Sequence, residues 1–338
     1  MKDTHMASSS PLLSVRHLRV EIPTRQGPLV ALDDVSFDIA RGEILGFVGE
    51  SGAGKSLTGM AVLGLLDAPA HVAAGQIVFD GQAIEGLPPA RMRELRGKRI
   101  AAVFQDPLLS LNPLLTVGDQ LIETLCTHLP MTAAEARERA IDWLRRVGIP
   151  SPAERVDAYP HQFSGGMRQR IVIALALCAE PDLVVADEPT TALDVSVQAQ
   201  VLELLRRLCQ ERGTAVLLVT HDMGVISENA DRVAVMYAGR IAEIGRVHDV
   251  VGRPAHPYTH GLMRSIPPLD QTPARLQQID GAMPRLNAIP RGCAFNPRCD
   301  RSFERCHEQR PELLPAGATR AACWLHDASS MLITGEAA

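Results

Sequence analysis

Gly49-Glu50-Ser51-Gly52-Ala53-Gly54-Lys55-Ser56 is the stretch that decides the fold. It reads G-x-x-x-x-G-K-S, the P-loop pattern. Ahead of it, Glu43 to Val48 is a short apolar run that suits a buried strand. Behind it, Leu57, Met60, Ala61, Leu63 and Gly64 recur at helical spacing. Strand, loop and helix are the setting the chemistry needs. Glycines let the backbone wrap closely round a phosphate chain, with successive N–H groups pointing inward. The helix that follows offers the positive end of its dipole. Lys55 adds a full charge at the outer phosphates, and the Ser56 hydroxyl can bind Mg²⁺. A ligand-free glycine turn would match the pattern but not its flanks.

A P-loop needs an acidic partner for Mg²⁺. Leu183-Val184-Val185-Ala186 is an apolar strand that carries Asp187 to its C-terminal end, where open α/β sheets bind ligands. Glu188 follows. One carboxylate near the metal and a second free to accept a proton from water is the pair that nucleotide hydrolysis requires. Ser164-Gly165-Gly166-Met167 opens a predicted helix, so it is a second candidate phosphate site by the same dipole logic. One nucleotide does not need two such loops from one chain. The second makes sense if it faces a nucleotide held by another subunit.

Around these motifs the chain has an α/β rhythm. Residues 12–22 and 29–39 read as strands joined by a turn at Arg25–Pro28; Gln76–Phe79, Ile100–Phe104, Ala215–Val219 and Val233–Tyr237 follow as further strands. Val195–Cys209 is a helix. This alternation predicts a mainly parallel sheet covered on both faces. Residues about 106–180 break the rhythm as a helical insertion, with helices over Val117–Cys126, Ala133–Val147 and Gly165–Cys178. The basic run Arg91–Arg99 reads as a solvated helix face. Prolines 267, 268, 284 and 290 mark a linker over 266–292, a cysteine region spans 293–326, and residues 1–10 and 327–338 are expected to be disordered.

The bulk numbers exclude several classes. The 338 residues are 46% apolar and 22% charged, enough for a globular core. A net charge of −5 with 4% aromatics argues against a nucleic-acid partner. The richest apolar run, Ile171–Ala186, is broken by Glu180, Pro181 and Asp182, so no membrane span is expected. Without an apolar leader at the N-terminus, the expected place is the cytoplasm.

Together the motifs resemble the ATP-binding subunits of ABC transporters over residues 12–265. Gly49–Ser56 matches Walker A, Gln105 the Q-loop and Ser164–Met167 the signature motif. Leu183–Asp187 with Glu188 matches Walker B and its catalytic glutamate. Ala192-Leu193-Asp194 matches the D-loop, and His221 the switch histidine. The resemblance implies a P-loop cassette: a RecA-like core with an antiparallel β subdomain and a helical subdomain. It implies two such subunits meeting head to tail, each ATP lying between Walker A of one and the signature loop of the other. Mg²⁺ would be held by Ser56, Gln105 and Asp187; Glu188 would polarise water and His221 position the γ-phosphate. Two departures stand out. The position that often carries an adenine-stacking aromatic is Ile22, which predicts looser base selectivity, and the signature reads Phe163-Ser-Gly-Gly-Met167 rather than Leu-Ser-Gly-Gly-Gln.

Cys293, Cys299, Cys306 and Cys323 are spaced C-x5-C-x6-C-x16-C, without the close pairs usual at zinc sites. About 40 residues rarely hold together by core alone, so metal or disulfides are expected. Cys293-Ala-Phe-Asn-Pro-Arg-Cys299, with Cys323-Trp324, His256-Pro257-Tyr258-Thr259 and Phe104-Gln105-Asp106-Pro107, is similar to the oligopeptide and dipeptide importer branch. That resemblance implies a [4Fe–4S] cluster on the four thiolates, with zinc as the alternative and free or linked cysteines still open. It also implies a distinct second ATPase, two membrane permeases docked on the helical insertion, an extracytoplasmic solute-binding protein, and a peripheral place on the cytoplasmic face of the inner membrane. Relatives of the branch carry nickel, metal chelates, glutathione or sugars, so the cargo stays open. ABC ATPases of DNA repair or translation usually show a long coiled-coil insertion or tandem cassettes, and neither is present.

Overall fold

The computed structural model describes residues 10–191, 194–265 and 278–327. In chain order the strands are β1 (Leu13–Ile22), β2 (Leu29–Ile39), β3 (Ile44–Val48), β4 (His71–Phe79), β5 (Gln82–Ala83), β6 (Ile100–Val103), β7 (Leu183–Asp187), β8 (Ala215–Val219), β9 (Arg232–Tyr237), β10 (Arg240–Arg246), β11 (Leu314–Ala316) and β12 (Thr319–Ala321). One sheet runs β2-β1-β4-β5 and is antiparallel. The larger runs β11-β12-β10-β9-β3-β8-β7-β6. Its five strands from β9 to β6 are parallel; β10, β12 and β11 are antiparallel.

The central strands are apolar throughout because both faces are covered. Val184 and Ala186 of β7 join one core with Val216 and Leu218 of β8, whereas Leu183, Val185, Leu217 and Val219 join the other. Alternate side chains of a strand point to opposite faces, so a strand buried twice shows no polar alternation. The first core packs under the helical insertion, around Trp143, Leu121 and Ile171. The second joins the small antiparallel sheet and the helix Lys55–Leu63, around Phe37, Phe47 and Phe79. Helices Val117–His128 and Ala133–Arg146 each begin with a capping box, Thr116 with Asp119 and Thr132 with Glu135.

The main sheet is mainly parallel, as expected, with antiparallel β10, β12 and β11 at one border. Two findings depart from the sequence reading. The run Arg91–Arg99 is only in part a solvated face: Arg91, Arg93 and Lys98 are exposed, Arg96 and Arg99 are not. Its helix ends at Leu95, Arg96 donates to the Leu63 and Gly64 carbonyls at 2.7 and 2.6 Å, and Arg99 joins Asp80 and Asp182 while lying over the Phe79 ring. Arg96 thereby satisfies two orphan carbonyls at the end of the P-loop helix. Second, the cysteine region is not apart from the cassette: β12 pairs with β10 and extends the main sheet. Of the expected linker, residues 278–292 have neither helix nor strand, and 266–277 lie outside the described residues. Of the expected loose ends, 1–9 and 328–338 lie outside them too, and Asp327 is paired with Arg305 at 2.6 Å.

The tail is fastened by a buried acid. Glu243 of β10 is fully buried, and its carboxylate accepts from the Ala255 and His256 N–H groups at 2.9 Å each and from the Thr319 hydroxyl at 3.1 Å. A buried donor left without its acceptor costs more than a hydrogen bond is worth. Glu243→Ala is therefore expected to lower unfolding stability by about 3 kcal/mol, read by urea denaturation, whereas a surface change such as Glu138→Ala leaves it within about 0.5 kcal/mol.

Candidate nucleotide site

The carboxyl ends of β3, β7 and β8 meet at one point because their registers align: Phe47 and Asp187 both sit opposite Val219. The P-loop leaves β3 there. Gly54 takes a left-handed conformation (φ 103°), and a Cβ on it would lie 2.6 Å from Leu32, so no other residue fits. A cleft of about 280 Å³ opens over the loop, lined by Ser51–Leu57, Ile22, Ala31, Glu188 and Leu286. Lys55 is 5% exposed, and its Nζ donates to the loop's own Gly49 and Glu50 carbonyls at 2.8 and 3.0 Å. Burial holds the Lys55 amine below its ordinary pKa, opposed by the charges of Glu188, Asp187 and Glu50.

Asp187 accepts from the Ser56 hydroxyl at 2.9 Å. Burial pushes its carboxyl above the ordinary range, and neighbouring Glu188 adds to this; Ser56 and Lys55 oppose it. Ser56 and Asp187 thus bring two oxygens together beside an anion cradle. That suits Mg²⁺, which takes one or two protein oxygens and completes its shell with water and phosphate. Glu188 follows in a left-handed backbone (φ 47°) held by its N–H to the Val219 carbonyl at 2.8 Å. A non-glycine residue there carries strain of about 1–3 kcal/mol, a cost typical of functional positions. Its carboxylate accepts from the Thr191 hydroxyl at 2.9 Å and lies 3.3 Å from His221 Nδ1. His221 stands on the turn after β8, between Thr220 and Asp222, and Asp222 caps the helix Met223–Asn229.

Other expected residues stand apart. Gln105 is exposed just past the end of β6 and hydrogen-bonds neither Ser56 nor Asp187. Ser164 is exposed at the start of the helix Gly165–Leu177, where its hydroxyl accepts from the Met167 N–H at 3.3 Å; none of Ser164, Gly165, Gly166 and Met167 lines the cleft. Asp194 is exposed at the N-terminus of the helix Val195–Arg212, and Ala192 and Leu193 lie outside the described residues.

Three residues at the site were not singled out by pattern. Leu286 lines the cleft together with Ile22, the position expected for a base-stacking aromatic. Tyr258 and Arg298 reach the P-loop from behind. Tyr258 Oη accepts from the Glu50 N–H at 2.9 Å, and Arg298 donates to the Glu50 carboxylate at 3.0 Å. Their sequence signals were read otherwise, Tyr258 as part of His-Pro-Tyr-Thr and Arg298 as a spacer between two cysteines.

Cys293, Cys299, Cys306 and Cys323 line one apolar cavity. The Cys293 N–H donates to the Cys306 carbonyl at 2.8 Å. Burial pushes the Cys293 thiol up to about 11 and that of Cys323 to about 12, and raises that of Cys299 as well. Among the described residues, no three His, Cys, Asp or Glu side chains are grouped closely enough to hold a metal ion. The cavity is about 10 Å³ as it stands. The donor set, four thiols free of disulfides, suits an iron–sulfur cluster; the room for one requires the four to spread.

The comparisons agree with this geometry. Residues 32–191 match the family described as ABC transporter. The chain is 48% identical over 330 residues to the dipeptide transport ATP-binding protein of Bacillus subtilis, covering 96% of this chain and 98% of that one. The chain belongs to the ABC transporter family. As an ABC ATPase it also matches, over residues 242–306, the family described as oligopeptide/dipeptide transporter, C-terminal region. It is 46% identical over 311 residues to the oligopeptide transport ATP-binding protein of Salmonella typhimurium, 92% of each chain. Among solved structures it is similar to a dimeric ATP-binding cassette in a post-hydrolysis state with ADP and Pi (27% identity, TM-score 0.62, 70% of this chain and 98% of that one). A second is the cbiO1 cassette of Clostridium perfringens (28%, TM-score 0.62, 72% and 92%). This ABC subunit therefore binds ATP and couples its hydrolysis to transport. No helix among the described residues is long and apolar enough to cross a membrane.

An acid whose pKa rises on folding costs stability wherever it is ionised in both states. Asp187→Asn removes that cost. It is expected to raise the melting temperature without nucleotide and to abolish the further rise that Mg–ATP gives the native protein, both read by scanning calorimetry.

Proposed function

We propose that this chain is the motor subunit of a peptide importer. The observation that carries the reading is the joining of a hydrolytic cleft to a C-terminal region of the oligopeptide/dipeptide transporter type in one chain, in the same arrangement as relatives named for dipeptide and oligopeptide transport. Phosphates of ATP enter the loop from Gly49 to Ser56 and take the place of the carbonyls on which Lys55 now rests. Ser56 and Asp187, joined by Gln105, would hold Mg²⁺, which would supply charge neutralisation at the outer phosphates. Glu188 accepts the proton of a water that attacks the γ-phosphorus as the bond to ADP breaks, and His221 orients the leaving phosphoryl group.

The signature turn cannot serve its own cleft. Its exposed Ser164 and the free N–H groups of the helix behind it suit the γ-phosphate of an ATP on a second cassette, which would be a distinct ATPase subunit. Asp194 lies on the face where two such cassettes would meet. On the helical insertion, Leu108, Leu109 and Leu114 are 57, 88 and 82% exposed, an apolar patch fitted to a permease. Two permeases and an extracytoplasmic solute-binding protein complete the assembly, and the subunit works on the cytoplasmic face of the inner membrane. The four cysteines would hold a [4Fe–4S] cluster, which would brace the tail; no step of hydrolysis runs through it.

Two measurements test this reading. Glu188→Gln is expected to retain ATP binding and lose turnover by on the order of 100-fold or more; near-normal phosphate release would overturn the role of Glu188. Protein purified without oxygen is expected to be brown and to hold equal amounts of iron and acid-labile sulfide. Colourless, zinc-loaded protein would remove the cluster and leave the hydrolytic reading untouched.

A further inference from the structure

Glu50 is an odd residue to find in an anion cradle. Its side chain does not line the cleft, which begins at Ser51, yet its charge acts on Lys55, and a bare negative charge so near repels phosphate. Its backbone carbonyl is also one of the two rests of Lys55, at 3.0 Å. Both ends of this residue are held by the C-terminal region. The Glu50 N–H donates to Tyr258 Oη at 2.9 Å, and Tyr258 is fully buried on the helix Pro257–Arg264. The Glu50 carboxylate accepts from Arg298 at 3.0 Å across 248 positions of sequence.

Arg298 is built for this contact. Its side chain is 6% exposed, while that of Glu50 is 28% exposed. Its remaining N–H groups donate to the carbonyls of Asp280, Ile279 and Gly281 and to Tyr237 Oη, at 2.9 to 3.5 Å. A guanidinium with its donors used in fixed directions cannot swing away, so it acts as a preset counter-charge. Its place beside Cys299 means that the fold of the cysteine turn decides where that charge sits. Tyr258 is set as firmly: its N–H donates to His256 Nδ1 at 3.0 Å, and burial holds His256 near pKa 4, neutral and able to accept.

The geometry points to Arg298 as a positioning residue for ATP: from the far end of the chain it masks the Glu50 carboxylate and, with Tyr258, fixes the first turn of the P-loop for phosphate. This holds whatever the cysteines bind, and whatever the transporter carries. It makes the nucleotide site a joint product of the cassette and its tail.

The test is ATP affinity of the full-length protein, read by displacement of a fluorescent ATP analogue, beside thermal melting of each variant. Arg298→Ala is expected to weaken ATP about tenfold, the scale of one lost charge-assisted contact. Adding Glu50→Gln to that variant is expected to recover most of the loss, because the unmasked charge is then gone. A merely structural role would lower the melting temperature and leave the double variant no better than the single one. If Arg298→Ala does not fold, Arg298→Gln, which keeps donors for the 279–281 carbonyls, takes its place. Affinity within twofold of native in either folded variant, or no recovery on adding Glu50→Gln, overturns the proposal.

Discussion

A lysine ammonium buried on the carbonyls of its own loop is the interaction on which the rest of the molecule depends. Lys55 cannot be sunk among Asp187, Glu188 and Glu50 unless three strand ends and a helix start are brought to one point. Burial weakens its hold on a proton and the three acids oppose this without cancelling it. The amine rests, poorly solvated, on carbonyl dipoles that a phosphate can replace. Such a site is prepared for its ligand and less comfortable without it, as active sites commonly are.

The two cores give that point its rigidity. Parallel strands with both faces covered have little freedom to shift, since a slip of one residue would exchange the side chains of the two cores. Arg96 and Arg99 add to this by tying the end of the P-loop helix and the strand β6 to the β4 turn and to Asp182. Asp187 thus ends a strand covered on both faces, and Glu188 and His221 follow just past the ends of such strands. Ser164 and the exposed leucines of the insertion sit on outward faces of the chain, where other subunits can reach them.

Much of this was legible in sequence, for local reasons. The P-loop, the strand ending in Asp187 and the turn before Ser164 are each written within a dozen residues, and so are the capping boxes of the insertion. What could not be read is what depends on distant pairing. Nothing near Arg298 in the chain tells of Glu50, and nothing near Glu243 tells that a hairpin after residue 313 will lie against β10. Arg96 and Arg99 look like any basic run until the carbonyls of Leu63 and Gly64 are found opposite the first and Asp80 and Asp182 opposite the second. Leu286 carries no pattern at all; only its place beside Ile22 in the cleft gives it meaning.

The hairpin of β11 and β12 also answers a question of solubility. An eight-stranded sheet has two open borders, and an open border of paired apolar strands invites a second molecule to add its own strand. Had the sheet stopped at β10, its seven-residue rim with Ile241 and Ile244 would offer such a template. Instead the last strand is three residues long and has Pro315 at its centre, which lacks the N–H a newcomer would need. At the opposite border β6 is only four residues long. A subunit that works with partners, through its cleft and its helical face in the reading proposed above, is thereby kept from finding them, wrongly, through its backbone.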